Sequence, residues 1–361
     1  MLVSNILGIS PSDLKQWCSE IGESEYRADQ ILKWIHQKSI TDFSLMTNLS
    51  KSLRDLLQTE FFFKAPTIIR TSTSNDGCLK WLIDAGSGNA VESVLIPEIG
   101  RRTLCISSQA GCAVNCPFCL TGKQGFSRNL SIDEIIGQLW LANSSADRVS
   151  NIVFMGMGEP LLNYDSVVEA IKLIMSDFAY GISRRKITVS TSGIVPKIDR
   201  LSVDCPVSLA ISLHAGNDSL RNDLVPINKK YPLKELLEAC KRYQVRSPRE
   251  FITFEIVMLR DINDSTEHAK EVAAQVLNNG IKPKFNLIPF NSYKGSKFET
   301  SSEKAIKNYK AVLQASGYTV TIRKTRGEDV LAACGQLAGE VVNRVKLNES
   351  LITNGNLKAP L

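Results

Sequence analysis

Three cysteines in the stretch Gly111-Cys112-Ala113-Val114-Asn115-Cys116-Pro117-Phe118-Cys119 stand at the spacing Cys-x3-Cys-x2-Cys. Thiolates are soft donors, and three in one short loop can hold three irons of a four-iron cluster while the fourth iron keeps no protein ligand. An open iron is a place for chemistry. S-adenosylmethionine, chelating through its amino and carboxylate groups, is the candidate to complete it. The competing reading is zinc, which also takes thiolates and prefers four ligands, with Cys105 or an imidazole as the fourth. Nothing nearby supplies the second knuckle of a paired Cys-x2-Cys zinc site.

Four further motifs offer polar groups where strand-like segments end. Gly156-Met157-Gly158-Glu159-Pro160-Leu161-Leu162-Asn163 follows one such segment: its glycines admit a close ligand, and Glu159 offers a carboxylate to an ammonium group. Ser190-Thr191-Ser192-Gly193, Ser212-Leu213-His214 and Asn291, after Ile288-Pro289-Phe290, follow others. Singly each has a plain explanation: Gly-rich βα turns are common, Ser and Thr cap helices, and a lone His is usually structural. Opposite a three-cysteine loop, four of them together are harder to attribute to packing.

The elements that must position these groups read as an α/β chain. The first sixty residues predict a small helical unit, with a helix over 11–22, then Ala28, Ile31, Leu32 and Ile35 on one face and Leu53, Leu56 and Leu57 on another. From Pro66 the pattern changes to strand-like runs at 67–70, 80–83 and 91–96, divided by Asn75-Asp76-Gly77 and Gly86-Ser87-Gly88-Asn89 turns, which predicts an antiparallel meander. Strand and helix patterns then alternate, with strands at 103–107, 151–155, 186–190, 207–212, 254–258, 285–288 and 319–323. Ser131 and Glu134 make a capping box for one of the intervening helices. About six βα units predict a partial (β/α)6 barrel of the TIM type, whose functional residues belong at the C-terminal ends of the strands. The expected divisions are a helical accessory unit over 1–64, a β extension over 65–100, the barrel over 101–325, and a C-terminal segment over 326–361 with a frayed tail after Gly339.

Composition bounds the rest. The 361 residues are 43% hydrophobic, no apolar run is long enough to cross a bilayer, and the N-terminus lacks the regions of a signal peptide, so the cytoplasm is the expected compartment and no membrane partner is expected. Nine cysteines without a secretion signal argue for reduced thiols, of which Cys18, Cys78, Cys205 and Cys240 are expected only to pack. Net charge is +6, from 43 basic and 37 acidic residues, too mild an excess to establish an RNA substrate. The basic residues do cluster, as Arg101-Arg102, Arg184-Arg185-Lys186, Lys229-Lys230, Lys241-Arg242 with Arg246 and Arg249, and Arg323-Lys324 with Arg326. Each cluster is either solvated surface or a phosphate contact.

The chain resembles the radical S-adenosylmethionine RNA methylases that act on adenosine, and most closely the adenine C2-methyltransferases of the RlmN family. The resemblance rests on Tyr26-Arg27-Ala28-Asp29-Gln30-Ile31-Leu32-Lys33-Trp34, Cys105-Ile106-Ser107-Ser108-Gln109-Ala110-Gly111-Cys112, the turn 156–163, the two serine motifs and Ala333-Cys334-Gly335-Gln336-Leu337-Ala338-Gly339, and it spans nearly the whole chain. Pro160-Leu161-Leu162-Asn163 after the Gly-Glu pair favours the C2 branch over the sister group that methylates C8. Carried over residue by residue, the resemblance implies that Cys112, Cys116 and Cys119 ligate a [4Fe-4S] cluster. It gives S-adenosylmethionine contacts to Gly158, Glu159, Ser190, Ser212, Leu213, His214 and Asn291.

It further implies that Cys334 carries the methyl group, that Cys105 resolves a covalent protein–RNA intermediate through a Cys105–Cys334 disulfide, and that Glu92 accepts the C2 proton, a role Cys105 could also fill. The radical route has a chemical reason: C2 of adenine is electrophilic, so a sulfonium methyl, itself an electrophile, finds nothing there to attack. Two S-adenosylmethionine molecules per turnover, 23S rRNA and tRNA substrates, and an external electron donor such as flavodoxin or ferredoxin are implied in the same way. Rivals are C8 methylation, a radical enzyme acting on a peptide or small molecule, and a non-catalytic iron–sulfur RNA-binding module. Without the resemblance, Cys105 and Cys334 would read as two unrelated buried thiols.

Overall fold

The computed structural model describes residues 4–145, 148–247 and 252–339. The predicted tail after Gly339 and the basic residue Arg249 lie outside these. The N-terminal unit comprises β1 (Ser4–Asn5), α1 (Pro11–Glu20), α2 (Tyr26–Leu32), α3 (Lys51–Glu60) and β2 (Phe61–Phe62), with β1 and β2 paired in parallel. Ser10 Oγ accepts the Asp13 N–H to cap α1, and Pro11 takes the first helical position, where an N–H would go unused. Leu14, Trp17, Ile31, Ile35, Leu53 and Leu57 join one continuous core with the rest of the molecule. The Trp140 indole N–H donates to Ile35 O (3.1 Å) and Gln37 Nε2 donates to Asp177 O (2.8 Å), which fixes the unit against the barrel helices.

The meander is present as β3 (Ile68–Thr73), β4 (Leu79–Asp84), β5 (Ala90–Glu98) and β6 (Arg101–Cys105), antiparallel throughout. A short antiparallel pair, β7 (Gln109–Gly111) and β8 (Phe126–Asn129), brackets the cysteine loop and α4 (Leu120–Gln124). The alternation that follows is α5 (Ile132–Ser145), β9 (Asn151–Phe154), α6 (Tyr164–Met175), β10 (Ile187–Thr191), α7 (Val195–Asp204), β11 (Ser208–Ser212), α8 (Asp218–Leu224), α9 (Leu233–Arg246), β12 (Ile252–Met258), α10 (Thr266–Asn278), β13 (Lys284–Pro289), α11 (Glu303–Ala315) and β14 (Thr319–Ile322). The capping box ahead of α5 forms, with the Ser131 N–H donating to Glu134 Oε2 (2.9 Å).

One ten-stranded sheet results, in the order β14-β13-β12-β11-β10-β9-β6-β5-β4-β3. The run from β6 through β9 to β14 is parallel, and β6 pairs on its other side with β5 instead of with β14. The parallel part is therefore an open barrel, as its sequence predicts, and the meander extends the same sheet. Strand ends differ slightly from expectation. The strand expected from Lys186 begins at Ile187, because Arg184–Lys186 close a 3-10 turn in which the Ile187 N–H bonds Arg184 O. The strand expected to reach Ser107 ends at Cys105, because the Ser107 hydroxyl turns aside to Glu92 O (2.6 Å).

Register sets what faces inward. Ser212 lies opposite Glu255, Glu255 opposite Asn286, and Asn286 opposite Thr321, so a polar row crosses β11 to β14 at one level. Cys18, Cys78, Cys205 and Cys240 are buried, as packing residues should be. Among the described residues no helix is long and apolar enough to cross a membrane.

Candidate active site

The cysteine loop owes its shape to two residues in the left-handed region, Gly111 (φ 79°) at the end of β7 and Asn115 (φ 58°) between Cys112 and Cys116. Asparagine is among the few side chains that accept that conformation readily. The Cys112 N–H donates to Gly125 O (2.8 Å) and the Cys119 N–H to Cys116 O (3.1 Å). Val114 and Cys116 pack with Val225, Val257, Leu259 and Phe290, and Cys112 and Cys119 lie against the same apolar cluster. Burial, with neighbouring thiols adding to it, pushes Cys112 up to about 12 and Cys116 well above the ordinary thiol range. Such thiols ionise together with a metal centre that supplies positive charge.

A four-iron cluster fits this donor set: three soft sulfurs in one short loop, seated against an apolar cluster. Zinc fits less well, since its four ligands must meet at one ion with Zn–S of about 2.3 Å. Cys105, the candidate fourth ligand for zinc, lines a different cavity from Cys119 of the loop.

At the C-terminal ends of the strands lies a cavity of about 150 Å³, walled by Cys119 of the loop and by Gly158, Glu159, Ser190, Ser212, His214 and Asn291. Six of the seven residues expected to contact S-adenosylmethionine therefore share one space with a cluster cysteine. Leu213 does not line it: its side chain is in the core, its N–H donates to Glu255 O (3.0 Å), and its carbonyl accepts Arg221 Nε–H (3.0 Å).

Glu159 is buried, and both of its oxygens are oriented by backbone: Oε1 accepts the Leu161 N–H (3.1 Å) and Oε2 the Ser192 N–H (2.7 Å). Burial raises its pKa against these bonds and those of the Thr191 and Ser192 side chains, and the carboxylate lines the cavity that an ammonium would enter. His214 holds φ 62°, an uncommon backbone for a non-glycine residue. Its Nδ1 accepts the Val257 N–H (3.1 Å), and burial, then the Arg221 charge, lowers its pKa to about 3. The ring is thus neutral with its proton on Nε2, a donor rather than a cation. Gly158 has φ 101°, and a Cβ there would stand 2.5 Å from Gln109 Cβ. Gly158→Ala is expected to cost about 1–3 kcal/mol of strain and to abolish S-adenosylmethionine binding, which equilibrium dialysis of the cluster-loaded variant would check.

A second cavity, about 450 Å³, occupies the barrel below the first; Cys105 and Cys334 both line it, and Cys334 lines the first as well. Burial pushes Cys105 up to about 12, with Cys334 the next cause; burial also raises Cys334, against the Arg323 charge. The loop bearing Cys334 is held from several sides. Asn291 Nδ2 donates to Cys334 O (3.3 Å), the Leu120 N–H to Gly335 O (2.9 Å), and Gln336 Nε2 to Ser292 O (2.9 Å).

Glu92 is placed differently from the other expected catalytic residues. It lines neither cavity. Its Oε1 pairs with Lys80 Nζ (2.9 Å) and its Oε2 accepts the Ala338 N–H (3.0 Å), while Lys80 Nζ also donates to Leu331 O (3.2 Å). The pair thus clamps the Cys334 loop to the meander.

Two residues escape a reading of motifs. Arg221, fully buried, donates to Ser192 O (2.7 Å), Ser212 O (3.0 Å) and Leu213 O (3.0 Å), tying two strand ends of the upper cavity together. Glu255 lines both cavities, and a carboxylate at an inward position of the otherwise apolar Phe254–Met258 run is the signal that could have found it.

An open parallel barrel with a three-cysteine loop and a polar cavity at the strand tops defines the radical S-adenosylmethionine class. Comparison agrees: residues 106–273 match the radical SAM superfamily and residues 4–62 match the ribosomal RNA large subunit methyltransferase N-terminal domain, RlmN_N. A radical SAM methyltransferase from Sphaerobacter thermophilus is 38% identical, covering 92% of this chain and 99% of that one, with a TM-score of 0.85. A domain of pyruvate-formate lyase-activating enzyme from Bacteroides vulgatus is far more distant, at 20% identity over 48% of this chain and 99% of that one, with a TM-score of 0.39. The chain belongs to the RlmN family of radical S-adenosylmethionine methyltransferases. It is an enzyme of that class, working with a [4Fe-4S] cluster and two S-adenosylmethionine molecules per turnover, and its N-terminal domain implies an RNA substrate.

Proposed function

We propose that this enzyme methylates C2 of adenosine in RNA, with 23S rRNA and tRNA as substrates, through a methylated Cys334 and a covalent protein–RNA intermediate. The observation that carries the reading is the position of Cys334, a wall shared by the cavity beside the cluster loop and the cavity that holds Cys105. Cys112, Cys116 and Cys119 would hold the cluster, and Gly158, Glu159, Ser190, Ser212, His214 and Asn291, with the Leu213 backbone behind them, would orient S-adenosylmethionine beside it. When bound, that pair would supply a 5′-deoxyadenosyl radical, the one electron for the cleavage coming from an external donor such as flavodoxin or ferredoxin.

Cys334 first takes a methyl group by displacement, for which the thiolate is the nucleophile; one hydrogen atom of that methyl passes to the deoxyadenosyl radical, and the methylene radical adds to C2, the adduct then giving up one electron and the C2 proton. Cys105 then attacks the Cys334 sulfur, so that the S–C bond to the base breaks as the disulfide forms; the freed methylene takes a proton to become the methyl group, and an external thiol reductant resets the disulfide. Glu92 or Cys105 takes the C2 proton; Cys105 lines the cavity beside Cys334 and Glu92 does not, which favours Cys105. The base has to leave its stack to reach a thiol this deep. In this reading residues 1–64 grip RNA, the extension 65–100 leads into the barrel, 101–325 generate the radical, 326–361 carry the methyl group, and the work is done in the cytoplasm.

The test is anaerobic reconstitution with methyl-labelled cofactor and both RNAs, followed by nucleoside chromatography and mass spectrometry. Wild type is expected to yield labelled C2-methyladenosine and Cys334→Ala none. Label at C8 would support the sister activity, and label in adenine from the variant would remove Cys334 as carrier.

A further inference from the structure

The waist between the two cavities holds a carboxylate that the cysteine chemistry leaves without a task. Glu255 is 5% exposed, lies in register between Ser212 and Asn286, and lines both cavities. Its Oε1 is held on one side by Asn286 Nδ2 (3.3 Å), itself steadied by the Thr321 hydroxyl on Asn286 Oδ1 (3.1 Å), and on the other by the Arg323 guanidinium (3.7 Å). Its Oε2 makes no hydrogen bond or ion pair among the described residues, yet it is not one of the enclosed polar atoms left unsatisfied. One oxygen is thus fixed and the other is open to the cavity. A buried carboxylate with a free acceptor costs stability unless something with N–H or O–H meets it.

The chemistry of the substrate says what would meet it. If C2 of the base lies at Cys334, the Watson–Crick edge runs from C2 through N1 to C6, and the group at C6 projects to one side of the thiol within the same lumen. In adenine that group is an amine, a donor; in a 6-oxopurine it is an acceptor that a carboxylate repels. Resting on the reading of this enzyme as an adenosine C2-methylase, we propose that Glu255 reads the exocyclic amine of the target base and makes the site select adenine. It is a specificity residue and takes no part in the bond changes. Asn286 and Arg323 act by holding its free oxygen toward the base.

Inosine and purine riboside both keep a C2 hydrogen, so both remain chemically open to C2 methylation. The experiment compares RNAs identical except for adenosine, inosine or purine riboside at the target, using cluster-loaded wild type and Glu255→Gln, with iron content and RNA-free cleavage of S-adenosylmethionine measured alongside. Wild type is expected to favour adenosine over either analogue by about 100-fold or more in kcat/KM. Glu255→Gln, whose amide can donate to a 6-oxo group, is expected to lower the adenosine-to-inosine ratio about tenfold or more, with iron content retained.

The proposal is overturned if wild type treats purine riboside as it treats adenosine, or if Glu255→Gln slows both substrates equally. It is also overturned if Glu255→Gln loses RNA-free cofactor cleavage while retaining iron, which would give Glu255 to the cofactor. Should the variant not load a cluster, the wild-type series alone decides. A wild type that forms no C2-methyladenosine from the adenosine RNA sinks the functional reading and this proposal together, an outcome separate from lost base preference.

Discussion

Cys105→Ala is expected to form the bond to C2 and then stop, leaving the enzyme attached to its RNA as a species that survives denaturing electrophoresis. Turnover should fall at least about 1000-fold, because among the described residues Cys119 of the cluster loop is the one other thiol lining either cavity with Cys334. Cys334→Ala should give neither product nor adduct, so the two variants fail in distinguishable ways. The pH dependence has a definite sign. Burial holds Cys105 up to about 12, so near neutrality it is almost entirely the thiol, and its reactive thiolate fraction rises tenfold for each unit of pH below that value. Release of the wild-type adduct should therefore quicken from pH 7 to pH 9, and the adduct of Cys105→Ala should persist across the same range. An alanine variant that releases methylated RNA at the wild-type rate would remove Cys105 from the resolving step.

What could be read from the sequence was what is written in short segments. The three-cysteine spacing, the Gly158-Glu159 turn and the period-2 strands each depend on neighbours in the chain, and the barrel order follows from strand–helix alternation. That it stays open follows from the run of only about six units. What escaped was set by register and by distant contacts. Arg221 reads as one basic residue of a surface helix; only the fold shows it buried, with its donors spread over two strand ends. Glu255 acquires meaning because β11, β12, β13 and β14 align it with Ser212, Asn286 and Thr321. The clasp of β7 on β8 around the cysteine loop leaves no pattern in the sequence, because each strand is too short, at Gln109–Gly111 and Phe126–Asn129, for alternation to register. Glu92 shows the opposite case: a role inferred from resemblance meets a side chain whose oxygens are both engaged, by Lys80 and the Ala338 N–H.

That engagement makes Glu92→Gln informative. Lys80 and Glu92 have side chains only 9% and 4% exposed, so the substitution strands a buried ammonium with Leu331 O as its remaining partner. Removing one member of a buried pair costs about 3–5 kcal/mol, most of it the uncompensated charge left behind. Stability should fall by that order in thermal or denaturant unfolding, and methylation should fall with it, because the clamp on the Cys334 loop is released. The double variant Lys80→Met, Glu92→Gln removes both charges and keeps an amide oxygen for the Ala338 N–H, so most of the stability should return. If the carboxylate acts by holding the loop, methylation returns too, to within about tenfold of wild type. If it takes the C2 proton, the double variant is stable, cleaves S-adenosylmethionine and accumulates covalent RNA adduct without releasing product. Measuring unfolding and adduct on the same two proteins separates the clamp from the base, since only the second outcome pairs restored stability with arrested chemistry.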